Sequence, residues 1–128
     1  MSTVGEHMSP APHPVGLEQT LAVAAQFMRK HGVRQLPVLH GGEIVGALSA
    51  RDIVLLEAAQ QKSLSELKVE DAMSDDPFVV EPETPLHEVL EKMAEKQIGS
   101  VLIAKGPKLQ GIFTASDAVA MLAKMLKP

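Results

Sequence analysis

Two tetrapeptides in this 128-residue chain carry residue types able to do chemistry: Ser49-Ala-Arg-Asp52 and Thr114-Ala-Ser-Asp117. Each ends a Gly-x-x run, Gly46-Ala-Leu-Ser49 and Gly111-Ile-Phe-Thr114. A Ser or Thr followed three residues later by an acid is a helix capping box, which satisfies backbone N–H groups at a helix start. The same junction, a strand end running into a helix, offers free N–H groups and a positive dipole end, and these suit a phosphate. The hydroxyl adds a donor. The aspartate, one turn in, is spaced to accept both hydroxyls of a ribose. The two readings are compatible, because one hydroxyl can cap in the empty state and bind a ligand later.

No other residue pattern competes with these. The histidines His7, His13, His31, His40 and His87 show no His-x-His or His-x-x-x-His spacing and no acidic partner at metal spacing, so the expectation is no metal site. His87 is expected exposed on a helix, and His13 in a loop that could touch a base. With no cysteine, disulfides, thiol catalysis and Cys-ligated zinc or iron–sulfur sites are excluded. Gly41-Gly42 lacks a following Lys-Ser/Thr and reads as a hairpin turn, not a phosphate loop. Met28, Met93, Met121 and Met125 sit at helical core spacing and read as packing. The acids Glu70, Asp71, Asp75 and Asp76 read as a solvated turn, which Mg²⁺ carried by a nucleotide phosphate could approach.

The elements that must position the two motifs repeat. Residues 4–54 align with 69–119 without a gap, pairing Val4/Val69, Met8/Met73, Ser9/Ser74, Pro12/Pro77, Gly46/Gly111 and Asp52/Asp117. Each copy reads as strand, helix, strand, strand, helix. In the first, Leu21, Ala24, Ala25 and Met28 form an apolar helical stripe that Gly32 stops. Strands follow at Gln35–Leu39 and Glu43–Leu48, and a helix starts at Ser49. In the second, Pro77–Val80 is extended and Thr84-Pro85 reads as an N-cap with proline at the first helical position. Leu86, Val89, Leu90 and Met93 make the stripe, and Gly99 sits just beyond the helix end. Ser100–Ala104 and Leu109–Phe113 are strands, and a last helix runs from Thr114 to about Leu126. The expected organisation is a first domain over 4–60, a linker over 61–68 with Leu64 and Leu67 as anchors, and a second domain over 69–127. A repeat alone is of marginal size for one core, so the two are expected to pack together and share one.

Composition narrows the function classes. The chain is 45% hydrophobic and 22% charged, which is ordinary for a globular protein. No apolar run approaches the ~18 residues of a membrane span. The first residues lack a basic stretch followed by an apolar core, so no signal peptide is expected. These features make a cytoplasmic protein the default. Three Phe, no Trp and no Tyr leave no platform for stacking exposed bases. A net charge of −4 disfavours a broad grip on nucleic acid. Ile53 to Leu56 and Ala118 to Leu122 are apolar around more of a helix than one small module can cover, which points to a second copy.

The duplicated unit, the Val-x-x-x-Met-Ser openings, Val33-Arg-Gln-Leu-Pro-Val38 and the paired Gly-x-x-Ser/Thr-x-x-Asp motifs resemble a tandem of CBS domains, a Bateman module. The resemblance covers roughly Val4 to Leu126. It implies an α/β (α+β) fold of two repeats packed sheet to sheet about a pseudo-twofold axis, with clefts that bind adenosine compounds such as AMP, ADP, ATP or S-adenosylmethionine. Carried onto this sequence, ribose falls to Asp52 and Asp117, the phosphate-contacting hydroxyl to Ser49 and Thr114, and the basic phosphate residue to Arg34. Arg51 lies within the first motif. The second repeat has Ser116 and Gly99 at the places of Arg51 and Arg34. The base would lie near His13 to Val15 with Val33 to Leu36, and near Pro77 to Val79 with Ile98 to Val101, so Phe78 is among its walls. The implied protein is a nucleotide-sensing homodimer with a protein target, no catalysis and no required cofactor. The competing reading is a structural or interaction protein whose boxes only cap helices. An enzyme is a distant third.

Overall fold

The computed structural model describes residues 2–10 and 13–128; Met1, Ala11 and Pro12, the partner of Pro77 in the repeat alignment, lie outside the described residues. In chain order the elements are a 3-10 turn at Val4–Glu6, β1 (Ser9–Pro10), β2 (Val15–Gly16), α1 (Leu21–His31), β3 (Gln35–His40), β4 (Glu43–Ser49), α2 (Ala50–Gln60), α3 (Val69–Ala72), β5 (Val79–Val80), α4 (Leu86–Lys96), β6 (Ser100–Lys105), β7 (Lys108–Thr114) and α5 (Ala115–Leu126). The fold is mixed α and β, with sheets ordered β2-β3-β4 and β1-β7-β6-β5.

Local chemistry accounts for most boundaries. Gly41 and Gly42 both have positive φ, 59° and 82°, the signs that a type I′ hairpin turn between β3 and β4 requires. Thr20 caps α1 through its hydroxyl, which accepts the Val23 N–H at 3.2 Å. Gly32 ends α1 in the left-handed conformation, as its position predicts. The corresponding ends of α4 differ from expectation. Pro85 itself occupies the N-cap, with ψ of 133°, so the helix begins at Leu86 and the Thr84 side chain makes no cap. Gln97, not glycine, takes the left-handed cap at φ 55°, and Gly99 comes two residues later.

The chain divides into two compact units whose borders are not those of the repeats. One contains Pro12–Pro77, the other Met1–Ala11 with Phe78–Pro128. The opening segment of each repeat is built into the body of the other. Val4 N–H donates to the Thr84 carbonyl at 2.9 Å, Gly5 N–H to that of Pro82 at 2.9 Å, and Leu86 N–H to that of Ser2 at 2.9 Å. The same bonds recur in the first unit: Val69 N–H to Gln19 at 2.8 Å, Glu70 N–H to Leu17 at 2.9 Å, and Leu21 N–H to Leu67 at 2.8 Å. The Val-x-x-x-Met-Ser motif is thus a docking segment. Its short helix around Val69 takes in Glu70 and Asp71, so those acids are not a plain turn; Asp71 Oδ2 accepts the Lys68 N–H at 2.9 Å.

Exchange explains the cores. Each unit buries a cluster of its own. In the first unit Val69 and Leu67 close a cluster of Leu21, Ala24, Met28, Leu36, Val38, Leu48 and Ile53. In the other, Val4 closes one of Leu86, Val89, Met93, Val101, Ile103 and Phe113. Leu64 packs on the first cluster, so the expected linker is anchored as its leucines suggest. Met28 and Met93 are buried, but Met125 is 74% exposed, because the last turn of α5 lies beyond its unit's core.

Candidate functional site

Each motif sits where a strand runs directly into a helix. Ser49 is the last residue of β4 and the N-cap of α2. Its hydroxyl accepts the Asp52 N–H at 3.0 Å, and Asp52 Oδ2 accepts the Ser49 N–H at 2.9 Å. Thr114 closes β7 in the same way: its hydroxyl accepts the Asp117 N–H at 3.1 Å, and Asp117 Oδ2 accepts the Thr114 N–H at 2.9 Å. Both capping boxes are therefore complete. Each uses one carboxylate oxygen and leaves Oδ1 with no hydrogen-bond partner among the described residues. The helix dipole favours an anion at both places.

A second strand is tied to each junction. Ala50 N–H donates to the Arg34 carbonyl at 2.9 Å, and Ala115 N–H to the Gly99 carbonyl at 3.0 Å. The β3–β4 register sets Gln35 opposite Ser49, and the β6–β7 register sets Ser100 opposite Thr114. The fold thus brings Val33 and Arg34 to Ser49 and Asp52, and Ile98 and Gly99 to Thr114 and Asp117. Arg34, Arg51, Gly99 and Ser116 are exposed, whereas Val33, Ile98, Asp52 and Asp117 are half-buried.

Beside the first junction a groove of about 560 Å³ is walled by Val33, Arg34, Ala50, Val54 and Arg29; Ser49, Arg51 and Asp52 are not among its walls. Arg29 was not singled out by any motif. The signal was present in the basic last turn Arg29-Lys30-His31 before the Gly32 stop. The other first-repeat candidates lie elsewhere. Val15 and Leu36 are 2% and 0% exposed and belong to the core cluster, so they can shape a cleft only from behind. A two-residue strand gives too little alternation to show which face its residues take. His13 packs edge-on to Phe27, with ring centroids 6.1 Å apart, and its ring lies 6.3 Å from that of His31. It is not among the walls of the groove. In the second repeat Phe78 and Val80 face a different groove, of about 420 Å³ against α4, and Val79 is 41% exposed.

No set of three or more His, Asp or Glu side chains is gathered to hold a metal ion among the described residues. No helix among them is long and apolar enough to cross a membrane.

The model of the CBS domain matches residues 4–58 and again 69–124, nearly the whole chain. An inosine-5'-monophosphate dehydrogenase of Korarchaeum cryptofilum is 33% identical over 104 residues, which are 80% of this chain but only 21% of the dehydrogenase. The CBS domain-containing protein YhcV of Bacillus subtilis is 32% identical over 117 residues, covering 91% of this chain and 83% of YhcV. The solved structure of CBSX2 in complex with AMP is 27% identical, with a TM-score of 0.80, and covers 99% of this chain and 100% of that one.

Proposed function

Since the chain belongs to the CBS-domain family, we propose that it is a regulatory module that binds an adenosine-containing nucleotide at its two strand-to-helix junctions. The observation that carries this is the paired geometry of Ser49 with Asp52 and Thr114 with Asp117. Each pair sets a hydroxyl, helix N–H groups and an unengaged carboxylate oxygen on one short stretch of backbone. A phosphate and a ribose diol need those groups. The AMP complex of the CBSX2 neighbour supports the choice of ligand class. The module needs no catalytic group of its own: a ligand that binds one arrangement of units or subunits better than another shifts the population toward it, and a protein target reads the shift. Any Mg²⁺ would arrive with the nucleotide's phosphates.

A second copy belongs to this reading. Val54 and Leu55 of α2 are 62% and 57% exposed, and Val119 and Leu122 of α5 are 66% and 55% exposed. Paired in a homodimer, these faces would be covered.

Calorimetric titration with adenosine, AMP, ADP, ATP and S-adenosylmethionine tests the function. The chain has no Trp or Tyr, so an absorbance peak near 260 nm in a clean preparation reports bound nucleotide directly. Binding by at least one of these ligands is expected. No heat with any of them, and no such peak, would favour the structural reading, in which the hydroxyls serve only as the caps they already form.

A further inference from the structure

The chain has three arginines, and all of them stand about the first junction: Arg29 in the last turn of α1, Arg34 just before β3 and Arg51 in the first turn of α2. The repeat alignment places Ala94, Gly99 and Ser116 at their positions, so the second junction has a counterpart to none of them. All three are exposed, and none has an ion-pair partner among the described residues. Arg29 and Arg34 wall the same groove of about 560 Å³. Its other walls are apolar, Val33 and Val54 among them, so the two guanidiniums are its charged groups and no carboxylate lines it. The groove adjoins the junction. Ala50, between Ser49 and Arg51, is one of its walls, and the Ala50 N–H donates to the Arg34 carbonyl at 2.9 Å. Ser49 and Asp52 are not walls, so a ribose at Asp52 and a first phosphate at the Ser49 hydroxyl lie outside it. At this end of α2 the Ala50 N–H is engaged by Arg34, and the Asp52 N–H by the Ser49 hydroxyl at 3.0 Å. Further negative charge there must be met by side chains.

We propose, on the reading of Ser49 and Asp52 as a nucleotide site, that Arg29 is a specificity-determining residue: with Arg34 it holds the outer phosphates of a nucleoside di- or triphosphate. Arg34 belongs to both parts, because its backbone is tied to the junction and it also walls the groove. Arg29 belongs to the groove alone, so it meets only what extends past the first phosphate. A guanidinium presents paired donors that match two oxygens of one phosphate, and it stays charged at any working pH. Each phosphate added to the ligand adds negative charge, so two unpartnered guanidiniums favour the longer chain. In the second repeat Ala94 and Gly99 offer neither donor nor charge, and Glu95 stands where Lys30 does. The first junction is thus a polyphosphate site and the second is not.

The test is calorimetric titration with AMP, ADP, ATP and inorganic tripolyphosphate, in an Asp117→Ala background so that the first junction dominates the heat. That parent should bind ADP and ATP more tightly than AMP. Arg29→Ala should weaken ATP binding about tenfold or more and leave AMP within about twofold, because only contacts to the outer phosphates are lost. Arg34→Ala should weaken all three nucleotides, and Arg29→Lys should fall between Arg29→Ala and the parent. Tripolyphosphate, which has no ribose, should bind more weakly than ATP. Circular dichroism verifies that each exposed change leaves the fold intact. Equal affinities of the parent for AMP and ATP overturn the proposal, as does an Arg29→Ala loss that is absent or the same for AMP as for ATP. Tripolyphosphate binding as tightly as ATP makes the groove a plain polyanion site and overturns it too. These outcomes leave nucleotide binding at Ser49 and Asp52 standing, whereas no binding of any nucleotide, in this background or in wild type, removes both.

Discussion

Gly46 has no room for a side chain because Ser74 lies against it: a Cβ there would stand 2.5 Å from the Ser74 carbonyl oxygen, and 2.8 Å from Met73 Sδ. The contact is held by reciprocal bonds between Ala47 and Ser74, 3.0 and 2.9 Å long. Gly111 stands in the same relation to Met8 and Ser9, at 2.5 and 2.6 Å. Two of the obstructing atoms are backbone oxygens, which cannot swing aside. Gly46→Ala and Gly111→Ala should each lower stability by about 1–3 kcal/mol, as overpacking does. Gly99→Ala, with nothing within 4 Å and no positive φ, should be close to neutral. Urea unfolding of the three variants checks this.

Gln97 and Gln61 hold left-handed backbone at φ 55° and 53°, which costs an ordinary L residue about 1 kcal/mol. Gln97→Gly and Gln61→Gly should therefore raise the unfolding midpoint, while Gly32→Gln at φ 64° should lower it. Thermal melts of the three proteins supply the comparison.

If Asp52 and Asp117 recognise ribose, replacing either with alanine should weaken nucleotide binding at its own junction by about 1.5–3 kcal/mol. The fold should survive, since a lost cap costs about 1 kcal/mol. Calorimetry and a melt on each variant separate the two effects. Wild-type affinity in both single variants would end the assignment.

The junctions should not be equal. Arg34 and Arg51 flank the first, where Gly99 and Ser116 stand in the second. The Ser49/Asp52 junction should thus prefer phosphorylated ligands, with the other discriminating less between adenosine and its phosphates. Arg34→Lys should weaken binding and Arg34→Ala weaken it further, because a guanidinium suits bidentate phosphate contact. The loss should grow from adenosine to ADP. Affinities for adenosine, AMP and ADP all within about twofold of wild type in Arg34→Ala would refute it.

In the proposed homodimer, the exposed face of α5 should form the contact. Val119→Glu with Leu122→Glu, at positions 66% and 55% exposed, should leave the fold intact and yield a monomer by light scattering. A monomeric wild type at micromolar concentration would remove the dimer altogether.

What could be read from the residues alone follows from how local each signal is. Gly32 stopping α1 and the Ser49–Asp52 box are written within a few positions, so their spacing reveals them. Gln97 as a left-handed cap is not legible, because glutamine has no preference for that conformation. The destination of Val4 is hidden for another reason. Its partners Thr84 and Leu86 lie most of the chain away, and periodicity carries no information across that distance. The candidate site divides similarly: the Ser49–Asp52 pair was legible from the repeated motif and Arg34 only through the family resemblance, whereas Arg29 reaches the groove only because α1 ends beside β3. Val15 and Leu36, expected beside a base, are buried in the core cluster instead.

The exchanged opening segments also set an order of events during synthesis. Pro12–Pro77 is continuous, so that unit has all its parts once residue 77 has left the ribosome. The other unit has not: Val4 is made long before its partner Thr84. The segment around Val4 must wait, unpaired, while the first unit folds. Its pairing then closes a long loop of chain, at an entropic cost that rises only slowly with loop length. A nascent chain arrested just past residue 77 should therefore protect the first unit from protease while leaving residues 2–10 open to cleavage.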